Sequence, residues 1–169
     1  MDVAALLTDA FSRIGEEVHG AADGLSADQL AHRVDAEANS IAWLVWHLSR
    51  VQDDHVAGVA GGEQVWTAQG WAERFGLPFG VRSIGYGHSS DDVAAVRVKS
   101  PDLLTGYYDA VAARSLDYIG GLTAADLDRV VDEAWDPPVT LGVRLVSVVD
   151  DCAQHAGQAA FIRGVLQRR

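Results

Sequence analysis

The sequence has little cysteine, little basic charge and no long apolar run. Its 169 residues include one cysteine, Cys152, so no disulfide can form within the chain, and a lone cysteine is typical of a reducing compartment. Lysine and arginine total 13 against 24 aspartates and glutamates, which gives a net charge of −11. A chain this acidic has no general attraction to phosphate backbones or anionic lipids, so we expect neither nucleic-acid nor membrane binding.

The amino terminus and the apolar segments exclude two further classes. The first residues, Met1-Asp2-Val3, lack the basic region of a secretory signal, and no apolar run approaches the ~20 residues that cross a bilayer. We therefore expect a cytoplasmic location. The length predicts a single domain over residues 1–169, because domains average about 150 residues.

Apolar residues recur at helical spacing in four long segments. These segments are 2–19, 40–59, 101–119 and 141–167. The last three follow residues suited to capping a helix, namely Ser40, Ser100 and Thr140. Four long amphipathic helices in one domain predict an all-α fold, a four-helix bundle.

The segment between the second and third helices differs from the rest. Residues 61–90 hold seven glycines and five aromatic side chains, which predicts a long irregular loop packed on the bundle. Long loops of this kind are commonly functional. Its polar residues Arg82, Tyr86 and His88 are therefore candidate substrate-binding residues.

The last helix carries a polar stripe beside its apolar face. Val143 and Val146 are expected in the core. Asp151 and His155 are four residues apart and share the stripe, so one metal ion can be held by both. His47 lies in the most apolar stretch of the chain, where an imidazole needs a partner. With His47 from the second helix, the three side chains form the ligand set of a catalytic zinc site with one open position.

Each of these residues also has a plainer interpretation. Asp151 and His155 can form a surface ion pair, and His47 can be a hydrogen-bonded core histidine. His55 lies two turns after His47 and is a rival ligand. Around the three ligands, Trp43 and Gln158 each lie one turn away and are further candidate substrate contacts; they are also common structural residues at such positions.

Two segments of the chain resemble the DinB/YfiT-like superfamily of small four-helix metalloproteins. They are Asn39–Leu48, with the sequence NSIAWLVWHL, and Asp151–Gln158, with the sequence DCAQHAGQ. In that superfamily a histidine of the second helix and a His-x-x-x-His pair of the last helix hold the metal. The resemblance thus implies His47 and His155 directly, and Asp151 if a carboxylate replaces the first imidazole of the pair.

A branch of this superfamily uses low-molecular-weight thiols. The chain is rich in alanine, glycine and valine and has one lysine, Lys99, as is typical of actinobacterial proteins, and actinobacteria contain mycothiol. The resemblance therefore implies a mycothiol S-transferase in which a thiol bound to a divalent metal, zinc being the expected ion, attacks a small electrophile. It implies no catalytic residue beyond the metal ligands.

Two other functions fit the same residues. One is a metal-dependent hydrolase of the same superfamily, in which a metal-activated water replaces the thiol. The other is a non-catalytic, dimeric helical module that binds a partner. A homodimer is compatible with the apolar faces of the helices in all three cases.

Overall fold

The fold is built almost entirely of helices, in a computed structural model that describes residues 1–168. In chain order the elements are α1 (Val3–Ala22), α2 (Ala27–Leu30), α3 (Ile41–Ala60), α4 (Val65–Ala68), α5 (Trp71–Phe75), α6 (Ser90–Ala95), α7 (Pro101–Gly120), a 3-10 helix (Ala124–Asp128), β1 (Val130–Asp132), β2 (Val139–Thr140) and α8 (Leu141–Leu166). The predicted all-α class is confirmed. The four long helices begin and end within three residues of their predicted bounds.

Local capping explains where the long helices begin and end. The Asp2 side chain accepts a hydrogen bond from the Ala5 amide at the start of α1, and Ser40 accepts one from Trp43 at the start of α3. Gly61 ends α3 in the left-handed conformation that glycine adopts without strain (φ 70°). These caps satisfy backbone groups that the helices themselves leave unpaired.

The four long helices pack as a ring around one core. α1 lies against α7 and α8, and α3 lies against the same two helices. α3 is the most enclosed helix, because every residue from Ile41 to Asp53 is buried. The contact of α3 with α8 brings the second predicted helix next to the polar stripe of the last one.

The segment 61–90 is more ordered than its composition predicts. It contains the short helices α4 and α5, so the expectation of an irregular loop throughout is wrong. The expectation that it packs on the bundle is confirmed: Trp66, Trp71 and Phe75 are buried, with ring centroids 5.1–5.9 Å from that of Tyr107 in α7. Aromatic packing thus fixes this segment over the outer side of α3.

Two features depart from the sequence predictions. Val143 and Val146 are 53% and 64% exposed, because the core-facing positions of α8 are Leu145 and Val148 and the two valines lie on the opposite side of the helix. β1 and β2 form a small antiparallel hairpin that the helical pattern did not predict. Within residues 1–168, no helix is long and apolar enough to cross a membrane. A homodimer stays a prediction.

A buried ion pair lies at the centre of α3. Arg50 is fully buried, and its guanidinium lies 3.5 Å from the Asp53 carboxylate and 4.9 Å from the centre of the Trp66 ring. The carboxylate accepts hydrogen bonds from the amides of Val65 and Trp66 and from the Tyr107 hydroxyl, each at 2.8 Å. Asp53 therefore joins three parts of the fold: α3, the start of α4 and α7.

We predict that Asp53→Asn strongly destabilises the protein. The substitution removes the charge that compensates buried Arg50 and turns an amide donor toward other donors, so we expect the free energy of unfolding to fall by about 3–5 kcal/mol. Urea unfolding followed by circular dichroism measures it. Asp117→Asn, at an exposed position of α7, is the control and should change stability by less than about 0.5 kcal/mol. Equal effects of the two substitutions would contradict the structural role of Asp53.

Candidate metal centre

Three side chains from α3 and α8 converge on one point. His47, Asp151 and His155 each present a ligand atom, and these atoms lie within 4.8 Å of one another. In the described part of the chain they are the one group of histidine, cysteine or carboxylate side chains arranged to hold a metal ion. The four-residue spacing of Asp151 and His155 and the antiparallel neighbour α3 together produce this arrangement.

The imidazole of His47 is fixed from both sides. Its Nδ1 donates a hydrogen bond to the carbonyl oxygen of Ile84, and its ring stacks on Trp43 with centroids 4.5 Å apart. This bond assigns the proton to Nδ1 and leaves the lone pair of Nε2 free for a metal. Burial lowers the pKa of His47 below its ordinary value, so the neutral, ligating form dominates at neutral pH.

Asp151 and His155 are coupled within one helical turn. Nδ1 of His155 donates to the backbone carbonyl of Asp151 at 2.7 Å and lies 3.4 Å from its carboxylate. Burial acts to raise the pKa of Asp151, but its interactions with His155 outweigh burial and lower the pKa. Burial likewise acts to lower the pKa of His155, yet the bonds to Asp151 raise it. Asp151 is therefore a carboxylate at neutral pH.

The three side chains fit a divalent cation. Oδ2 of Asp151 is buried and accepts no hydrogen bond, since Nδ1 of His155, 3.4 Å away, donates to the backbone carbonyl of Asp151. A buried carboxylate oxygen without a hydrogen bond carries a free-energy cost that a cation would offset. Each histidine uses Nδ1 in a hydrogen bond to a backbone carbonyl, which leaves Nε2 as the nitrogen that a metal would take. Two neutral imidazole nitrogens and one carboxylate oxygen are a ligand set that Zn²⁺ accepts in catalytic sites.

Two of the predicted substrate contacts belong to the wall of the site. Trp43 stacks on His47, and its indole nitrogen donates to Nδ1 of His88 at 3.2 Å. Nε2 of His88 contacts the Ser83 hydroxyl at 3.0 Å, and its ring stacks on Trp46. Both nitrogens of His88 are thus engaged within the protein, so His88 positions Trp43 and has no ring nitrogen available for a substrate.

The other predicted contacts lie on accessible surfaces. Arg82 and Tyr86 are exposed, and Tyr86 is 92% accessible, on either side of the loop residues that contact His47. Gln158 lines an open cavity of about 600 Å³ between α8 and residues 34–39, the segment before α3. It is called the apolar cavity here, and its walls include Leu44, Phe161 and Ile162. Leu44 and Gln158 each lie three residues from a candidate ligand, so this cavity begins one turn from the metal centre.

The neighbouring histidine and cysteine have other roles. Nδ1 of His55 lies 2.9 Å from the Arg144 guanidinium, and His55 is not one of the three converging side chains. Cys152 is fully buried, and its thiol donates to the Leu48 carbonyl at 3.5 Å. Burial raises the pKa of Cys152 far above its ordinary value. Cys152 therefore points away from the metal centre and into the core.

The sequence did not identify the residues that orient His47. The acceptor is a backbone carbonyl of Ile84, and a backbone group carries no residue-type signal. Gly85 permits the approach: a Cβ there would lie 2.6 Å from Nδ1 of His47 and about 3 Å from the Trp43 and Trp46 rings. A glycine in a glycine-rich segment is only a weak sequence signal that the backbone there approaches other side chains closely.

The chain is similar to a known protein family and to a solved structure. The family model described as mycothiol-S-transferase matches residues 5–167. A solved structure of a conserved protein from Enterococcus faecalis is similar over 100% of this chain and 99% of that chain, with a TM-score of 0.92 and 28% sequence identity. No curated protein matches the chain. The family match agrees with the resemblance derived from the two motifs.

We predict that His47→Ala removes tight metal binding. Loss of one of three protein ligands should weaken zinc affinity by more than about 100-fold, the upper end of the range for losing an outer partner. Titration against a chromophoric chelator measures the affinity. His55→Ala, which changes a nearby histidine of the same helix, is the control and should bind zinc as the unmodified protein does. Unchanged zinc affinity in folded His47→Ala would exclude His47 as a ligand.

We predict that Gly85→Ala also weakens zinc binding, although residue 85 is no ligand. The added methyl group displaces His47 from its bond to Ile84, so we expect a loss of about 10–100-fold in affinity. Gly87→Ala is a matched control: Gly87 also has a positive φ (72°, against 95° at Gly85), but a Cβ there meets nothing within 4 Å. Both variants carry similar backbone strain, and an equal effect of the two on zinc affinity would argue against the positioning role.

Proposed function

The chain belongs to the mycothiol-S-transferase family, and on that premise we propose that it is a metal-dependent enzyme that joins the sulfur of mycothiol to a small electrophile. One observation carries the proposal: His47, Asp151 and His155 converge, and the buried Oδ2 of Asp151 accepts no hydrogen bond. A divalent ion held by these residues would supply the Lewis acidity that keeps a coordinated thiol deprotonated at neutral pH.

The protein's own residues orient and shield the reacting sulfur. Trp43 and the Ile84 carbonyl hold His47 in one orientation, which leaves Nε2 as the nitrogen that would hold a metal. The aromatic wall of Trp43, Trp46 and His88 keeps water from that side of the site. A rigid, partly dry setting increases the reactivity of a thiolate because little reorganisation remains before attack.

The proposed reaction is a nucleophilic substitution. The thiolate electron pair forms a bond between sulfur and an electrophilic carbon of the substrate, and the bond from that carbon to its leaving group breaks. The leaving group departs with the bonding electrons, and the thiol proton goes to solvent. No general base is needed, since a thiolate is already the nucleophile.

The apolar cavity beside the cluster is our proposed site for the electrophile. Its walls include Leu44, Phe161 and Ile162, it lies one turn from the candidate ligands, and Gln158 provides a polar group at its edge. Cavities with largely apolar walls and a few polar groups are the usual setting for small organic ligands. The proposed location of the enzyme is the cytoplasm, where a thiol cosubstrate stays reduced.

Conjugation of mycothiol to monobromobimane tests the proposal. Zinc-loaded protein should form the fluorescent conjugate well above the uncatalysed rate, and removing the metal with a chelator should return the rate to background. His155→Ala should lower kcat/KM by at least about 100-fold, because it removes a ligand nitrogen.

Two results would refute this function. One is the absence of conjugate above the uncatalysed rate with zinc-loaded, folded protein. The other is hydrolysis of the electrophile at the same rate with and without the thiol, which would indicate a metal-activated water as the nucleophile.

A further inference from the structure

A second cavity lies on the opposite side of the metal centre from the apolar cavity. It is open, has a volume of about 540 Å³, and is called the polar cavity here. Its polar lining comes from α3, the segment after it, the end of the 3-10 helix, β1 and α8. The residues are Asp54, His55, Gln64, Arg129, Asp132 and Arg144.

The polar cavity shares a groove with the metal centre. Asp54 follows His47 by seven residues on α3, and Arg144 precedes Asp151 by seven residues on α8. Seven residues are two helical turns and about 10 Å along each helix axis. Because α3 and α8 lie side by side, the cavity lies two turns from the candidate ligands along the same interhelical groove.

The side chains that line this cavity include both hydrogen-bond donors and acceptors, and their charges sum to zero. Two arginines face two aspartates, and Arg144 donates to Asp132 at 2.9 Å. Burial and the adjacent Arg144 charge lower the pKa of His55, whose Nδ1 lies 2.9 Å from that guanidinium. The Gln64 amide donates to Asp54 at 2.6 Å. Charged side chains held at fixed positions by one another are suited to hydroxyl groups, which both donate and accept.

We propose that the polar cavity binds the neutral, hydroxyl-rich end of the thiol cosubstrate, the sugar and inositol rings of mycothiol, while the sulfur lies at the metal centre. This inference rests on the proposed function. The balanced charge favours a neutral glycoside over thiols that carry carboxylates, such as glutathione, because two arginines against two aspartates leave no excess positive charge to neutralise an added anion. The two ends of the groove thereby take the two substrates.

Binding of a sulfur-free probe tests this assignment separately from catalysis. The probe is N-acetylglucosaminyl-inositol, which is neutral and lacks the cysteine, and its affinity for the purified protein can be measured by NMR titration. We expect saturable binding, with shifts confined to residues of the polar cavity. Gln64→Ala should weaken this binding by about tenfold, which is about 1.4 kcal/mol.

A charge change and a control variant complete the test. Asp54→Asn, nearly isosteric, removes one negative charge from the cavity, so the lining gains a net positive charge, and the substitution should raise kcat/KM for glutathione relative to mycothiol. Gln158→Ala, in the apolar cavity, should leave the affinity for the probe unchanged. Both results support the assignment.

The outcomes separate this inference from the proposed function. The protein could bind the probe, lose affinity for it in Gln64→Ala, and yet form no conjugate. That result would retain the polar cavity as a glycoside site and would overturn the proposed transferase activity. Two results would overturn the assignment of the cavity alone. One is mycothiol conjugation by a protein that does not bind the probe. The other is mycothiol conjugation and probe binding in which Gln64→Ala and Asp54→Asn leave KM for mycothiol unchanged.

Discussion

The hydrogen bond from His47 to the Ile84 carbonyl is the interaction on which the site depends. It joins the most buried helix of the bundle to the segment that covers it, and it sets which imidazole nitrogen faces Asp151 and His155. The bond requires a glycine at position 85 and an aromatic wall behind the ring. Fold and site are therefore not separable here: the segment that closes the core of α3 also selects the ligand atom.

The same segment is anchored by polar groups that the core would ordinarily exclude. Asp53 holds the amides at the start of α4, and Arg50 donates to the Ser83 carbonyl close to the residues that contact His47. Two successive turns of α3 thus carry both the candidate ligand and the ion pair that fixes its covering segment. A charged pair this buried contributes little net stability, but it allows one arrangement of the chain around it.

Much of this organisation could be predicted from the sequence, for reasons that differ by element. Capping residues and apolar spacing located the four long helices, since both signals are local. The spacing of Asp151 and His155, with an imidazole in an apolar stretch, indicated the three converging side chains. The Ile84 contact, the hairpin and the exposure of Val143 and Val146 were missed. Each depends on which elements become neighbours in the fold. The spacing of apolar residues on α8 does not indicate which side of that helix packs against α1 and α3.

The burial of Cys152 has a chemical consequence for the proposed reaction. The chain's single thiol is next to Asp151 in sequence, yet it lies within the core, stays protonated and is bonded to a carbonyl of α3. An alkylating substrate that enters between α3 and α8 would therefore not reach the Cys152 thiol. The catalyst would be spared self-alkylation, and each electrophile would be left for the soluble thiol that arrives with it.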